Sequence, residues 1–188
     1  MNNKKVFVLS MGAMAIAMNI VLGTVVTRLN IPLLFLDTIG TILIAVLFGP
    51  WQAATVGSLT NILTPILSGS PKDIPYFIIN AAVGLIVGYM ARKFKFNVVN
   101  AIASGLILSI VCPILGTLIT VGFFGGLTGS VNDYFTLFLQ KSGMKIFTAA
   151  FIPRITGNFI DKIGSCLLVL LAMKYVPVQY KNRADLSA

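Results

Sequence analysis

The sequence predicts an all-α polytopic membrane protein: six transmembrane helices, with a short interfacial helix in the loop between the fifth and the sixth. Three observations predict it. Hydrophobic residues make up 57% of the 188 positions and charged residues only 10%, against about a quarter charged in a soluble domain. The apolar residues come in runs of roughly 17 to 27, which match the ~20 residues needed to cross a ~30 Å hydrocarbon core. The runs carry no polar face at the helical period, as a helix half in water would, and a chain this short cannot hide so much apolar material in a soluble core.

Each element has its own signals. The first helix runs from about Val6 to Thr27 behind Lys4 and Lys5, and Arg28-Leu29-Asn30-Ile31-Pro32 breaks it. A short second helix covers about Leu36 to Phe48. Gly49-Pro50-Trp51 then makes a tight turn, with Pro50 suited to a first helical turn and Trp51 to the membrane interface. The third helix occupies about Trp51 to Leu67, and Ser68-Gly69-Ser70-Pro71-Lys72-Asp73 reads as a plain loop. The fourth runs from about Ile74 to Ala91 and ends in Arg92-Lys93; the fifth runs from about Val98 to Phe124 and stops at Gly125-Gly126. Val131 to Gln140 mixes Asn132 and Asp133 with Tyr134, Phe135, Leu137 and Phe138, the composition of a helix lying at the interface. The last helix spans about Pro153 to Met173, with an N-terminal extension kinked at Pro153 as an option. The whole chain is thus one six-helix membrane domain, embedded in a lipid bilayer.

The net charge of +9 is not a nucleic-acid footprint, because the basic residues flank the apolar runs. With six spans both termini share a face, which would hold Lys4, Lys5, Arg92, Lys93, Lys95, Lys174, Lys181 and Arg183. Arg28, Lys72, Lys141 and Lys145 would lie opposite. The positive-inside bias then places both termini in the cytoplasm. His and Glu are absent, and the acids are five Asp: Asp37, Asp73, Asp133, Asp161 and Asp185. This argues against Glu/His proton relays and His-based metal sites. Cys112 and Cys166 both fall inside apolar runs and read as small hydrophobes. A Gly-rich nucleotide loop, a Cys/His cluster and a Ser–His pair are all missing, so no catalytic residue, cofactor or metal is expected. Any uphill transport must draw its energy from elsewhere.

Polar residues cluster unevenly. Arg154, Asn158, Asp161 and Ser165 are spaced four, three and four apart, a single stripe on the last helix with Lys162 beside it. Charge at membrane depth normally faces a cavity or a partner, although pairing of Asp161 with Arg154 or Lys162 would neutralise the stripe internally. Asp37 and Thr41 open the second helix, Asn61 and Thr64 approach the end of the third, and Tyr76 and Asn80 begin the fourth. Each alone could be an interhelical hydrogen bond of about 0.6 kcal/mol. Together they ring the outer half of the bundle, as a pocket for a small polar ligand requires. The expected binding residues are therefore Asp37, Asn61, Tyr76, Asn80, Arg154, Asn158, Asp161 and Lys162, with the segment 127 to 142 as a lid. On the first helix, Ala13 and Ala17 are four apart beside Gly12 and allow close approach of another helix; packing within the bundle is the simpler use for them. A stand-alone secondary transporter or channel would need polar lining or an ion site through the full depth, and a membrane enzyme would need acids and bases that are scarce here.

Ile31-Pro32-Leu33-Leu34-Phe35-Leu36-Asp37-Thr38-Ile39-Gly40, then Leu47-Phe48-Gly49-Pro50-Trp51 and Leu59-Thr60-Asn61, resembles the substrate-binding S components of energy-coupling factor (ECF) transporters, most of all the riboflavin-type branch and its uncharacterised relatives. Ala13 and Ala17 match the small-residue motif of that family's first helix, and Asn158 to Lys162 resembles the Asn/Lys-bearing start of its last helix. The resemblance implies a six-helix subunit of a bacterial cell membrane that binds a vitamin or similar micronutrient near the outer face. It implies docking through the first helix onto a transmembrane scaffold subunit coupled to two ATPases, with inward delivery by toppling of the whole subunit. Asp161 beside Lys162, with Arg154 ahead of them, departs from a riboflavin pocket and leaves the ligand open.

Overall fold

The computed structural model describes residues 3–31, 34–129 and 132–176. The proposed break at Pro32, and the tail with Lys181 and Arg183, lie outside them, as does Val131. Among the described residues there are seven α-helices and no strand: α1 Asn3–Arg28, α2 Ile39–Phe48, α3 Pro50–Leu67, α4 Phe77–Lys93, α5 Val98–Phe124, α6 Asn132–Lys141 and α7 Ile146–Tyr175. A 3-10 turn, Pro71–Tyr76, leads into α4. Among the described residues, four segments are long and apolar enough to cross a membrane: Lys5–Arg28, Pro71–Lys93, Val98–Phe124 and Ile146–Tyr175. The expected count of six is not reached on that criterion. α2 has ten residues, about 15 Å of rise, half of what a hydrocarbon core demands.

Its shortness suits its place. α2 is the buried strut of the bundle, packed on α1, α3, α4 and α7, with Ile42, Ile44 and Leu47 at most 1% exposed. It ends at Gly49, whose φ of 96° is open to glycine at little cost, and Pro50 starts α3 at once. α5 pairs most extensively with α7, and α3 with α4.

Small residues set these approaches. At Gly84 of α4 an added Cβ would lie 2.5 Å from the α3 backbone at Ala53 and Ala54; Gly88, one turn on, meets Pro50, and Gly57 of α3 meets Asn80. Apolar side chains gain nothing by leaving lipid for each other, so backbone proximity and dispersion hold such a pair together. Gly84→Val should destabilise the purified protein by about 1–3 kcal/mol through overpacking. Gly122→Ala, where a Cβ meets nothing within 4 Å, should leave it unchanged or slightly more stable. Denaturant titration of both in detergent measures the difference, and equal stability would contradict the close packing.

Several boundaries differ from the sequence expectation. α2 begins at Ile39 and not Leu36, because residues 34–37 form an irregular segment in which Leu36 adopts φ 51°. The loop before α4 contains the 3-10 turn, which absorbs Pro71 and Pro75. α7 begins at Ile146, with Pro153 inside it and buried: α5 packs alongside and overrides the local preference to break.

Candidate functional site

A cavity of about 580 Å³ opens at one end of the bundle, where α1, α3 and α5 finish and α2, α4 and α7 begin. Its wall takes Thr27 from α1, Phe35, Asp37 and Thr38 from the α1–α2 connection, and Asn61 from α3. Lys72, Asp73 and Tyr76 come from the 3-10 turn, Ile79 and Asn80 from α4, and Cys112 and Gly116 from α5. Thr128 and Gly129 come from the α5–α6 loop, and Arg154, Asn158 and Lys162 from α7. Seven of the eight expected binding residues thus share one enclosure. Asp161 is the exception: it is fully buried behind the wall.

The reason is the use to which its carboxylate is put. Asp161 Oδ1 accepts from the backbone N–H of Phe35 at 3.0 Å and of Leu36 at 2.8 Å, and Oδ2 accepts from Lys162 Nζ at 2.7 Å. A left-handed leucine costs about 1–2 kcal/mol, and the two amide bonds to a charged acceptor offset it. Asp161 therefore holds the bend that sets Asp37 at the cavity. Lys162 Nζ also donates to Thr38 Oγ1 at 3.1 Å and lies 3.6 Å from Asp37 Oδ1, an ion-pair distance. Enclosure raises the Asp37 carboxyl above its ordinary range, and the Lys162 ammonium pulls it back.

The second polar group surrounds Thr120. Its hydroxyl lies 2.6 Å from Tyr76 Oη and accepts from Arg154 Nη2 at 2.9 Å, while Arg154 Nη1 donates to the carbonyl of Ala150 at 2.7 Å. Tyr76 stacks on Phe124 with ring centres 5.8 Å apart, which fixes the plane of its ring. Between the two groups, Asn80 Nδ2 donates to the carbonyl of Asp37 and to Asn61 Oδ1, and Asn61 Nδ2 donates to the carbonyl of Tyr76. This chain of amides ties α3, α4 and the α1–α2 connection into one wall. Asn158 Nδ2 donates to Arg154 O, its own helix's carbonyl. At the mouth, Asp133 accepts from the N–H groups of Thr128 and Gly129 at 2.8 and 2.6 Å, so the loop over the cavity is fastened to the start of α6.

Asn19 is not among the residues the sequence singles out. It is fully buried in the middle of α1, donates to Thr41 and Thr60, and accepts from the N–H of Gly40. The only signal for it was a lone amide in an apolar run. Asn19 belongs to a buried stripe of Ala15, Asn19, Gly23 and Val26, whereas Ala13 and Ala17 are exposed on the opposite side of α1. Packing within the bundle thus leaves the small pair unused.

The family model described as ECF transporter, substrate-specific component matches residues 4–173. The chain belongs to this family. No curated protein sequence matches it. The match takes in nearly all of α1 and the whole cavity wall, and the chain is a substrate-specific transporter component.

Proposed function

We propose that this S component captures a small water-soluble micronutrient, a vitamin or related compound, in the 580 Å³ cavity and hands it inward with a transmembrane scaffold subunit and two ATPases. The observation that carries the reading is the confinement of the acidic groups. All four described aspartates, Asp37, Asp73, Asp133 and Asp161, lie at the cavity end, while the other half of the core is built from residues such as Leu47, Phe48, Val87 and Val169. A receptor needs such a one-ended site. A stand-alone secondary transporter needs polar groups along the path, and among the described residues the acids that would couple an ion are missing from the second half.

In the bacterial cell membrane the chain crosses six times, with α2 and α3 completing the set, and both termini are cytoplasmic. Exposed Arg92, Lys93 and Lys95 then lie inside, and the cavity faces out. Asn61, Asn80 and Asn158 read hydroxyl or amide groups of the ligand, and the loop around Thr128 acts as its lid. Ala13 and Ala17 dock the scaffold.

The test is a thermal-unfolding screen of the purified chain against water-soluble vitamins and nucleobase-like compounds. A compound that binds the folded state alone raises the melting temperature with its concentration. Asn158→Ala should weaken that response roughly 3- to 30-fold, the range for one hydrogen bond removed from an occupied site. An unchanged response would take Asn158 out of the site.

A further inference from the structure

We propose that the ligand is dipolar: a carboxylate at one end, held by Arg154, and an N–H donor at the other, held by Asp37. This deepens the receptor reading and rests on it. The charges of the cavity are not matched locally. Both ion pairs among the described residues involve Lys162, with Asp161 at 2.7 Å and Asp37 at 3.6 Å. Two carboxylates thus meet one ammonium, and Asp37 Oδ1 accepts no hydrogen bond. That oxygen is shielded beside the ammonium, but the Asp37 side chain as a whole is 34% exposed, so that end of the cavity has acceptor capacity to spare.

The other end is the reverse. Arg154 is only 9% exposed, yet it forms no ion pair with a described carboxylate. Its two hydrogen bonds go to neutral oxygens, those of Ala150 and Thr120. Asp133, whose charge reaches it, is engaged by Thr128 and Gly129. A guanidinium carries five N–H donors in a fork that fits a carboxylate in two parallel bonds. A buried charge without a counterion is costly, and a bound anion supplies one. The two ends are separated by the eight residues from Arg154 to Lys162, roughly 12 Å of helix rise. The volume, about 580 Å³, lies in the range of sites for ligands of a few hundred daltons. Tyr76, locked against Phe124 beside the Arg154 end, offers a flat apolar face to the ligand's middle.

The experiment uses the purified full chain in detergent and a set of water-soluble carboxylic acids, with and without an amino or ring N–H group, each paired with its own primary carboxamide. Thermal unfolding is the readout. At least one acid should stabilise the protein, with its carboxamide binding roughly 30-fold more weakly or worse, the scale for losing one partner of a buried charge pair. Arg154→Gln should erase the difference within the pair. Arg154→Lys, which keeps the charge, should retain a preference for the acid, and it is the readout if Arg154→Gln does not fold. Asp37→Asn should weaken acids that carry the N–H group more than those that lack it. Acid and carboxamide binding alike, a preference that survives Arg154→Gln or is lost in Arg154→Lys, or stabilisation by cationic or neutral compounds alone would overturn the proposal and leave the receptor reading standing. Silence from every acid, carboxamide, vitamin and nucleobase-like compound would remove both.

Discussion

Ala13→Trp combined with Ala17→Trp is expected to abolish ligand uptake in cells that supply the scaffold and ATPase subunits, while ligand binding by the isolated chain stays unchanged. α1 shows the bundle a stripe of Ala15, Asn19, Gly23 and Val26, and shows the outside Ala13, Ala17 and Val21 at the same spacing. Leu9 and Met14 border this outer stripe at 68% and 66% exposure. Against lipid alone, small residues have no advantage over leucine, whereas against another helix they let the two backbones close up. Indole rings at two successive turns would hold a partner helix several ångströms off and remove the dispersion contacts along the seam. Because neither alanine touches the cavity, the purified double variant should show the wild-type melting response to its ligand. Co-purification with the scaffold and uptake of labelled ligand are the measurements. Normal uptake by the double variant would release α1 from the docking role, and lost binding by the isolated chain would show that the stripe serves the bundle after all.

Much of this architecture was readable from patterning, and the exceptions have physical causes. The apolar runs located α1, α4 and α5 within a few residues, because in lipid the length of a run is dictated by the hydrocarbon thickness. The uneven placement of Asp37, Asn61, Asn80 and Asn158 pointed to one end of the bundle, since polar groups at depth must converge or be paired. What patterning could not show was which polar groups serve the wall and which serve the cavity. Asp161 and Lys162 are adjacent on one helix, yet Asp161 turns to backbone amides 125 and 126 positions away, a long-range contact that leaves no local trace. Asn19 stood alone in an apolar run, and its partners Thr41 and Thr60 lie on two other helices. Pro153 read as a helix start because proline removes a hydrogen bond; packing of α7 along α5 outweighs that loss and carries the helix back to Ile146. Lys72 and Asp73 read as plain loop, and the 3-10 turn that brings them to the cavity mouth holds two prolines and packs against α3.

The second large effect concerns Asp161. Asp161→Ala is expected to destabilise the purified protein by about 3–5 kcal/mol, the range for removing one partner of a buried charge pair. The N–H groups of Phe35 and Leu36 would lose their acceptor, the left-handed turn at Leu36 would lose what holds it, and Lys162 would keep Thr38 Oγ1 and, as counterion, only Asp37 at 3.6 Å. Ligand binding should fall with stability, and that alone would not separate a scaffold role from a role in the site. The pair of changes Asp161→Leu with Lys162→Met does. Apolar residues of similar volume often replace a buried ion pair at no loss, so part of the stability should return, short of full recovery by the one to three kilocalories that orphaned amides cost. Binding should not return, because Asp37 would then have neither the bend that aims it nor the ammonium that faces it. Denaturant titration and the ligand-induced melting shift, measured on the same three proteins, decide the matter. Wild-type stability in Asp161→Ala would mean that water or another donor already serves the bend. Restored binding in the double variant would mean that Asp37 finds its place without the α7 charges.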